Sequence, residues 1–232
     1  MILTACIFSV VWLIVSYFRA QRALQWWYHR QSIQLRYQAE KIRDELLQES
    51  FTIRRNLELS LVDPVRNLEK LEQDSLLKIE QLHCSLEQLS DCLSPPYIEE
   101  DLSLAIQFML ERWRSHDSQL DLKVELPAGW RYESPESIRV ILMTLDELLQ
   151  VSLLPSTATS LYVNLKLQGD VGELIVQISY PDTATLSNYL KLKDLEYLNQ
   201  TFRFLTSGAC FCRKKNLQVI WIFRWRSLTS KL

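Results

Sequence analysis

The sequence predicts an α+β protein: an N-terminal transmembrane helix, an antiparallel helical hairpin, and then an α/β sandwich. Three observations carry this. Ile2 to Phe18 is an uncharged, nearly continuous apolar run. Two segments on either side of Asp63-Pro64 repeat apolar residues at three- and four-residue steps, the period of an amphipathic helix. After Pro95-Pro96, helical spacing gives way several times to alternation, the period of a strand. The implied domains are 1–20 for the anchor, 21–96 for the hairpin and 97–232 for the sandwich.

At 1.5 Å per residue a run of ~17 residues just spans a hydrocarbon core of ~30 Å. A cleaved signal peptide would want a basic residue before the run, a shorter apolar core and a small-residue cleavage site, and none is evident. Arg19, Arg22 and Arg30 follow the run, so the positive-inside tendency places the bulk of the chain in the cytoplasm under a bacterial-type membrane as a single-pass protein. Trp26, Trp27 and Tyr28 suit an interfacial aromatic belt and equally suit helix packing.

Beyond the anchor, Ala39, Ile42, Leu46, Ile53 and Leu57 form one helical stripe to about Ser60. A second helix carries Leu68, Leu71, Leu76, Ile79, Leu82, Leu86 and Leu89. Two helices around a short break read as a hairpin with one apolar stripe more than it can bury alone, so pairing into a four-helix homodimer through Ile42, Leu46, Ile53 and Leu57 is expected. Pro95-Pro96 opens a helix from Ile98 to about Ser115, and a strand follows over Leu120–Leu126. Ser134 caps a helix that starts with Pro135 and runs through Leu149. Strands Ser160–Leu167 and Glu173–Ser179 flank a turn holding Gly169 and Gly172. One helix is expected from about Ala184 to Leu205, then a hairpin of Ala209–Arg213 and Leu217–Trp225. Helices on one face of a mixed sheet follow from this order.

Composition narrows the function. The chain has 232 residues, a formal net charge of −2 and only four glycines, far below the usual ~7%. So few glycines argue against a phosphate-cradling loop. Net charge and the lack of a recognised motif exclude nucleic acid as the expected partner. The five cysteines have no disulfide-framework spacing, and Cys210-Phe-Cys212 lacks the second pair that a zinc site needs. No metal or other cofactor is expected. From Thr206 to Leu232 there are six bases and no acid. Arg213, Lys214, Lys215, Arg224 and Arg226 thus form a basic C-terminal surface suited to an acidic partner or anionic headgroups, or simply a solvated strand face.

Several phrases resemble the sensor histidine kinase subfamily whose hairpin histidine sits in an Arg-Glu-Leu-His-Asp phrase. Ala39-Glu40-Lys41-Ile42-Arg43-Asp44-Glu45-Leu46 is similar to the lead-in to that histidine. Leu89-Ser90-Asp91-Cys92-Leu93-Ser94-Pro95-Pro96 resembles the hairpin exit. Leu145-Asp146-Glu147-Leu148-Leu149 resembles the start of the N-box, Ala158-Thr159-Ser160-Leu161-Tyr162-Val163 the strand after it, and Ser207-Gly208-Ala209 the closing hairpin. The resemblance covers roughly Gln38 to Trp225 and implies a dimerising hairpin followed by an ATPase-like domain.

The positions that the resemblance assigns to chemistry do not carry it. A phospho-accepting imidazole must attack the γ-phosphate, and Leu47 and Gln48 stand at the His-Asp position. The histidines are His29, His83 and His116, none of them there. The residue that should hold magnesium through an amide oxygen falls on Val151, or on Gln150 one residue away. Metal positioning and charge neutralisation are nearly all of phosphoryl-transfer catalysis. Glu147 matches the base-side carboxylate but is expected on an exposed helix face. The strand-end aspartate that reads adenine falls on Ser179-Tyr180-Pro181-Asp182, where Asp182 is displaced and no glycine follows. The expectation is therefore a non-enzymatic pseudo-histidine-kinase without catalytic, cofactor-binding or metal residues, acting by protein–protein interaction. Its expected partners are a kinase, a response regulator or a membrane complex. The alternative is a structural or assembly subunit of a membrane complex that keeps only the scaffold. Arg19, Arg22, Trp26 and Trp27 are the expected membrane-interface residues.

Overall fold

A computed structural model describes residues 2–62, 68–93, 96–116, 120–153 and 158–226. The chain divides into two compact units, His29–Pro95 and a second made of Met1–Tyr28 with Pro96–Leu232.

Helix α1 (Ile2–Lys41) continues through a π turn (Ile42–Leu46) into α2 (Leu47–Val62), and α3 (Leu68–Leu93) follows. Ile7, Phe8, Val10, Trp12, Leu13, Ile14, Tyr17 and Phe18 on α1 are all exposed. By length and composition, this is a helix able to cross a membrane. Residues around Asp63-Pro64 lie outside the described ones. In the hairpin unit, α2 and the π turn pack against α3.

In the other unit, α4 (Leu102–His116), β1 (Asp121–Glu125), α5 (Pro135–Leu153), β2 (Ser160–Gln168), β3 (Val171–Ser179), α6 (Thr183–Leu190), α7 (Lys193–Thr206), β4 (Ala209–Lys215) and β5 (Gln218–Arg226) follow in order. The sheet order is β1-β2-β3-β5-β4, with β1 and β2 parallel and the other neighbours antiparallel. The parallel pair needs a crossover, which α5 supplies. Alternation sorts the sheet faces. Leu161, Val163, Leu165, Leu174, Val176, Ile178, Val219, Trp221, Phe223 and Trp225 are buried in one core with residues of all four helices.

Three local differences from the sequence reading have physical causes. Pro96 to Glu100 is a turn rather than the first turn of a helix, with Tyr97 at φ 68°. Helix α4 begins later because Asp101 caps it, accepting from Ser103 N at 2.6 Å and, through its other oxygen, from Trp130 N at 3.0 Å. The expected single helix over 184–205 breaks at Lys191-Leu192 into α6 and α7. Gly172 lies within β3 and not in the turn, opposite Trp225; a Cβ there would meet the indole at 2.7 Å. The indole can therefore fold across the strand and donate to Glu133 at 3.1 Å.

On the outer sheet face, Glu173 sits between Lys166 and Arg224 on the flanking strands. It is buried beneath both, accepting from Lys166 at 2.9 Å and from the Arg224 guanidinium at 2.5 Å. Burial by itself raises its pKa, but hydrogen bonds and charge from Lys166 and Arg224 outweigh that and hold the carboxyl below its ordinary 4.5. Arg224, counted from the sequence among the free basic residues, is thus partnered and half-covered.

Two outcomes follow from this packing. A carboxyl depressed on folding adds stability that is present above its unfolded pKa of 4.5 and is lost as pH falls through the folded value. Below pH 4.5 the thermal midpoint of the native chain should therefore fall more steeply than that of Glu173→Gln, as scanning calorimetry would show. Gly208 lies against the backbone oxygen of Arg224 where a Cβ has no room, so Gly208→Ala should lower stability by about 2 kcal/mol in denaturant titrations.

Candidate nucleotide and phosphoacceptor positions

The positions to which the resemblance assigns a nucleotide converge on the end of α5, the end of β3 and α6. Helix α5 forms because Ser134 accepts from Ser137 N at 3.2 Å at its start and an apolar stripe follows. Ile138, Ile141, Leu142, Leu145, Leu148 and Leu149 on that stripe are buried.

The α5 side chains expected to face metal and phosphate face protein instead. Val151 is buried in the core. Gln150 donates to Asp146 at 2.9 Å, and the same carboxylate accepts from the Trp113 indole of α4 at 2.9 Å with Arg112 at 3.6 Å. Asp146 therefore fastens α5 to α4, with Gln150 of its own helix as a further donor. Glu147, expected on an exposed face, is buried. The interhelical packing of α5 against α4 and α7 wraps more of the helix than its spacing indicated.

At the end of β3 the place of an adenine-reading aspartate is taken by Tyr180, fully buried, with its ring centroid 5.1 Å from that of Tyr189 on α6. The Tyr189 oxygen accepts from Ser152 of α5 at 3.0 Å and from the Trp221 indole of β5 at 2.9 Å. Burial pushes the Tyr189 phenol well above its usual pKa, so it stays a neutral hydroxyl. Asp182 turns outward and caps α6, accepting from Thr185 N and Thr185 Oγ1, both at 2.8 Å. The bonds from Thr185 hold its carboxyl below the usual range. An aspartate spent on a cap is not aimed at a base. Together these side chains fill the space between α5, α6 and β5 with aromatic rings.

In the hairpin unit, Leu47 opens α2 immediately after the π turn, with 58% of its surface exposed. π turns recur at functional sites; in this one Arg43 donates to Asp44 at 3.3 Å, and the side chain at position 47 just after it is a hydrocarbon. His83 is exposed on α3, 3.5 Å from Glu87, and His29 is exposed on α1. Of the four expected interface residues, Leu46 (7% exposed) and Ile53 are buried within the hairpin itself. Ile42 is half-buried and Leu57 is exposed. Exposed apolar residues of α2 and α3 include Leu47, Phe51, Leu57, Leu59, Leu76, Leu77, Ile79 and Leu86.

No protein-family model matches the chain, and no curated protein matches it. Solved structures it is similar to include histidine kinases. The Acinetobacter baumannii histidine kinase AdeS is 17% identical, with 80% of this chain and 98% of that one covered at a TM-score of 0.44. The blue-light activated histidine kinase EL346 of Erythrobacter litoralis is 8% identical, covering 82% and 61% at 0.48. The mycobacterial sensor histidine kinase MprB is 17% identical, covering 55% and 95% at 0.39.

The remaining sequence-designated residues divide clearly. Trp26 donates its indole N–H to Asp194 at 2.9 Å and lies 5.9 Å from the Tyr197 ring; Trp27 also packs on the core. Of the two readings of these tryptophans, the packing one describes their contacts. Arg19 and Arg22 are exposed on α1. Arg213, Lys214, Lys215 and Arg226 are exposed on the final hairpin. Cys210, buried, and Cys212, exposed, share one side of β4, and burial raises the Cys210 thiol well above its usual range.

Sequence reasoning missed the buried carboxylate of Glu133. It accepts from Arg131 at 2.8 Å and from the Trp130 and Trp225 indoles at 3.4 and 3.1 Å. A glutamate three residues after a tryptophan carries no signal of this, because the decisive donor comes from β5, far along the chain.

Tyr189→Phe should strand the Trp221 indole donor in the core. Equilibrium urea unfolding should register a loss of about 2 kcal/mol.

Proposed function

We propose that this protein is a membrane-anchored, histidine-kinase-like module that binds protein partners and performs no phosphotransfer. The observation that carries the reading is the cluster of Tyr180, Tyr189, Trp221 and Ser152 packed at the end of β3, beside the Ser179–Asp182 stretch on which the sequence resemblance sets an adenine-reading aspartate. Val151 and the Asp146–Gln150–Trp113 fastening support it at the metal position. Leu47 supports it at the nucleophile position, because a hydrocarbon side chain has no lone pair to attack phosphorus.

On this reading the hairpin pairs with a second copy through exposed apolar side chains of α2 and α3, among them Leu47, Phe51, Leu76 and Leu86, which would otherwise stand in water. A response regulator or an active kinase is the partner chemistry that a histidine-kinase-like hairpin suits. The second reading, a structural subunit of a larger membrane complex, draws on one observation. Leu46 and Ile53 are already covered within the chain, so a single hairpin has less need of its own copy.

Two measurements test these readings. Magnesium-ATP titrated into the full chain in detergent should give no binding heat up to millimolar concentrations, and radiolabelled ATP should leave no label on protein; binding with label transfer would overturn the non-catalytic reading. Phe51→Glu should convert a dimer to a monomer in light scattering with the helical circular dichroism unchanged, since Phe51 is exposed. Leu46→Glu, by contrast, should unfold the hairpin. A native chain that is monomeric on its own would favour the structural-subunit reading.

A further inference from the structure

We propose that the C-terminal end of α7, Arg203 to Leu205, together with Arg226 at the end of β5, is a second membrane contact that seats the C-terminal body on an anionic lipid surface. This rests on reading α1 as a membrane span.

The geometry begins where α1 leaves the exposed apolar stretch that ends at Phe18. Ala23, one small residue pressed into the body, offers its carbonyl to the buried Thr201 hydroxyl at 3.2 Å. Trp26, about one turn farther from the span, meets Tyr197 and Asp194, which come earlier in α7. Helix α7 therefore runs back toward the span, antiparallel to α1. From Ala23 to Arg19 is about 6 Å along α1, and from Thr201 to Leu205 is about 6 Å along α7. Leu205 thus comes level with Arg19, at the edge of the apolar stretch.

The side chains at that level are those of an interfacial contact. Phe204 is 58% exposed and Leu205 38%, on an otherwise strongly amphipathic helix whose inward residues Leu195, Leu198 and Phe202 are buried. An exposed phenylalanine and leucine beside a membrane helix gain by entering the headgroup–acyl boundary. The charges agree: Arg203 flanks them, and Arg19 and Arg22 stand on α1. Ala209, just past the end of α7, pairs with Arg224, so β5 ends with Arg226 on the same side. Against these cations stands Asp170 in the β2–β3 turn, while Glu173 is already neutralised by Lys166 and Arg224. Cations at this level attract the headgroups of an anionic leaflet. The basic C-terminal residues accordingly divide. Arg226 lies at the lipid-facing end, and Lys215 lies at the opposite end, paired with Gln218 beside the β4–β5 turn.

Leu190 supplies a matched control. It is also 38% exposed, but it precedes the far end of α7. The full chain would be reconstituted into vesicles of phosphatidylcholine and alkyne-tagged phosphatidylglycerol, with p-benzoylphenylalanine at Phe204, Leu205, Leu190 or Ile14. After irradiation, lipid adduct at Phe204 and Leu205 should exceed that at Leu190 by about tenfold or more, in keeping with an apolar face sunk into the interface. The paired substitution Arg203→Glu and Arg226→Glu should cut the Phe204 adduct severalfold. Adduct at Ile14 with none above the Leu190 level at Phe204 would overturn the seat and leave the anchor standing. Capture of protein rather than lipid at Phe204 would overturn it too, and absence of adduct at Ile14 would overturn both readings.

Discussion

The hydroxyl of Tyr189 is the point at which the C-terminal body closes. It lies in the core, kept neutral by burial, and receives one donor from α5 and one from β5 while its ring packs on Tyr180 at the end of β3. Three elements far apart in the chain are thus tied through one oxygen that has no access to water. A buried donor without an acceptor is costly, so Ser152, Trp221 and Tyr189 constrain one another's positions. The same closure bears on function. Interlocked aromatic side chains pack between the end of α5, the end of β3 and α6, which is what the proposed non-catalytic reading draws on.

A second set of buried polar groups organises the opposite end of the sheet. Glu133 gathers two indole N–H groups and Arg131, and Gly172 leaves the room that Trp225 needs to reach it. On the outer face, Glu173 is covered by cations from both neighbouring strands. Each carboxylate is buried only because its donors arrive in register. Each therefore specifies strand pairing as well as adding stability, since a slip of one residue would turn the partners to the other face.

The attachment of α1 to α7 fixes the N-terminal helix on the C-terminal body. Ala23 allows close approach, Thr201 bonds the α1 backbone, and Trp26 is held by both a hydrogen bond and an aromatic contact. A helix gripped in this way sets the orientation of the body relative to its own apolar stretch. The exposed apolar end of α7 is then placed by the fold itself at the level where lipid headgroups would lie.

The sequence by itself determined the elements whose physics is local. The uncharged run of Ile2–Phe18, the three- and four-residue spacing of α2, α3 and α5, the alternation of β3 and β5, and the Ser134 cap all express short-range periodicity, and the structure has them. The lack of a histidine at Leu47 is equally legible, because it concerns residue identity alone. What depended on distant partners was not legible. The burial of Glu147 and of Leu46 and Ile53 depends on packing that spacing does not announce. The aromatic closure at Tyr189 and the docking of Trp26 on α7 each join residues tens to well over a hundred positions apart. Periodicity reports which face of an element is apolar; only the assembled tertiary structure decides what that face meets.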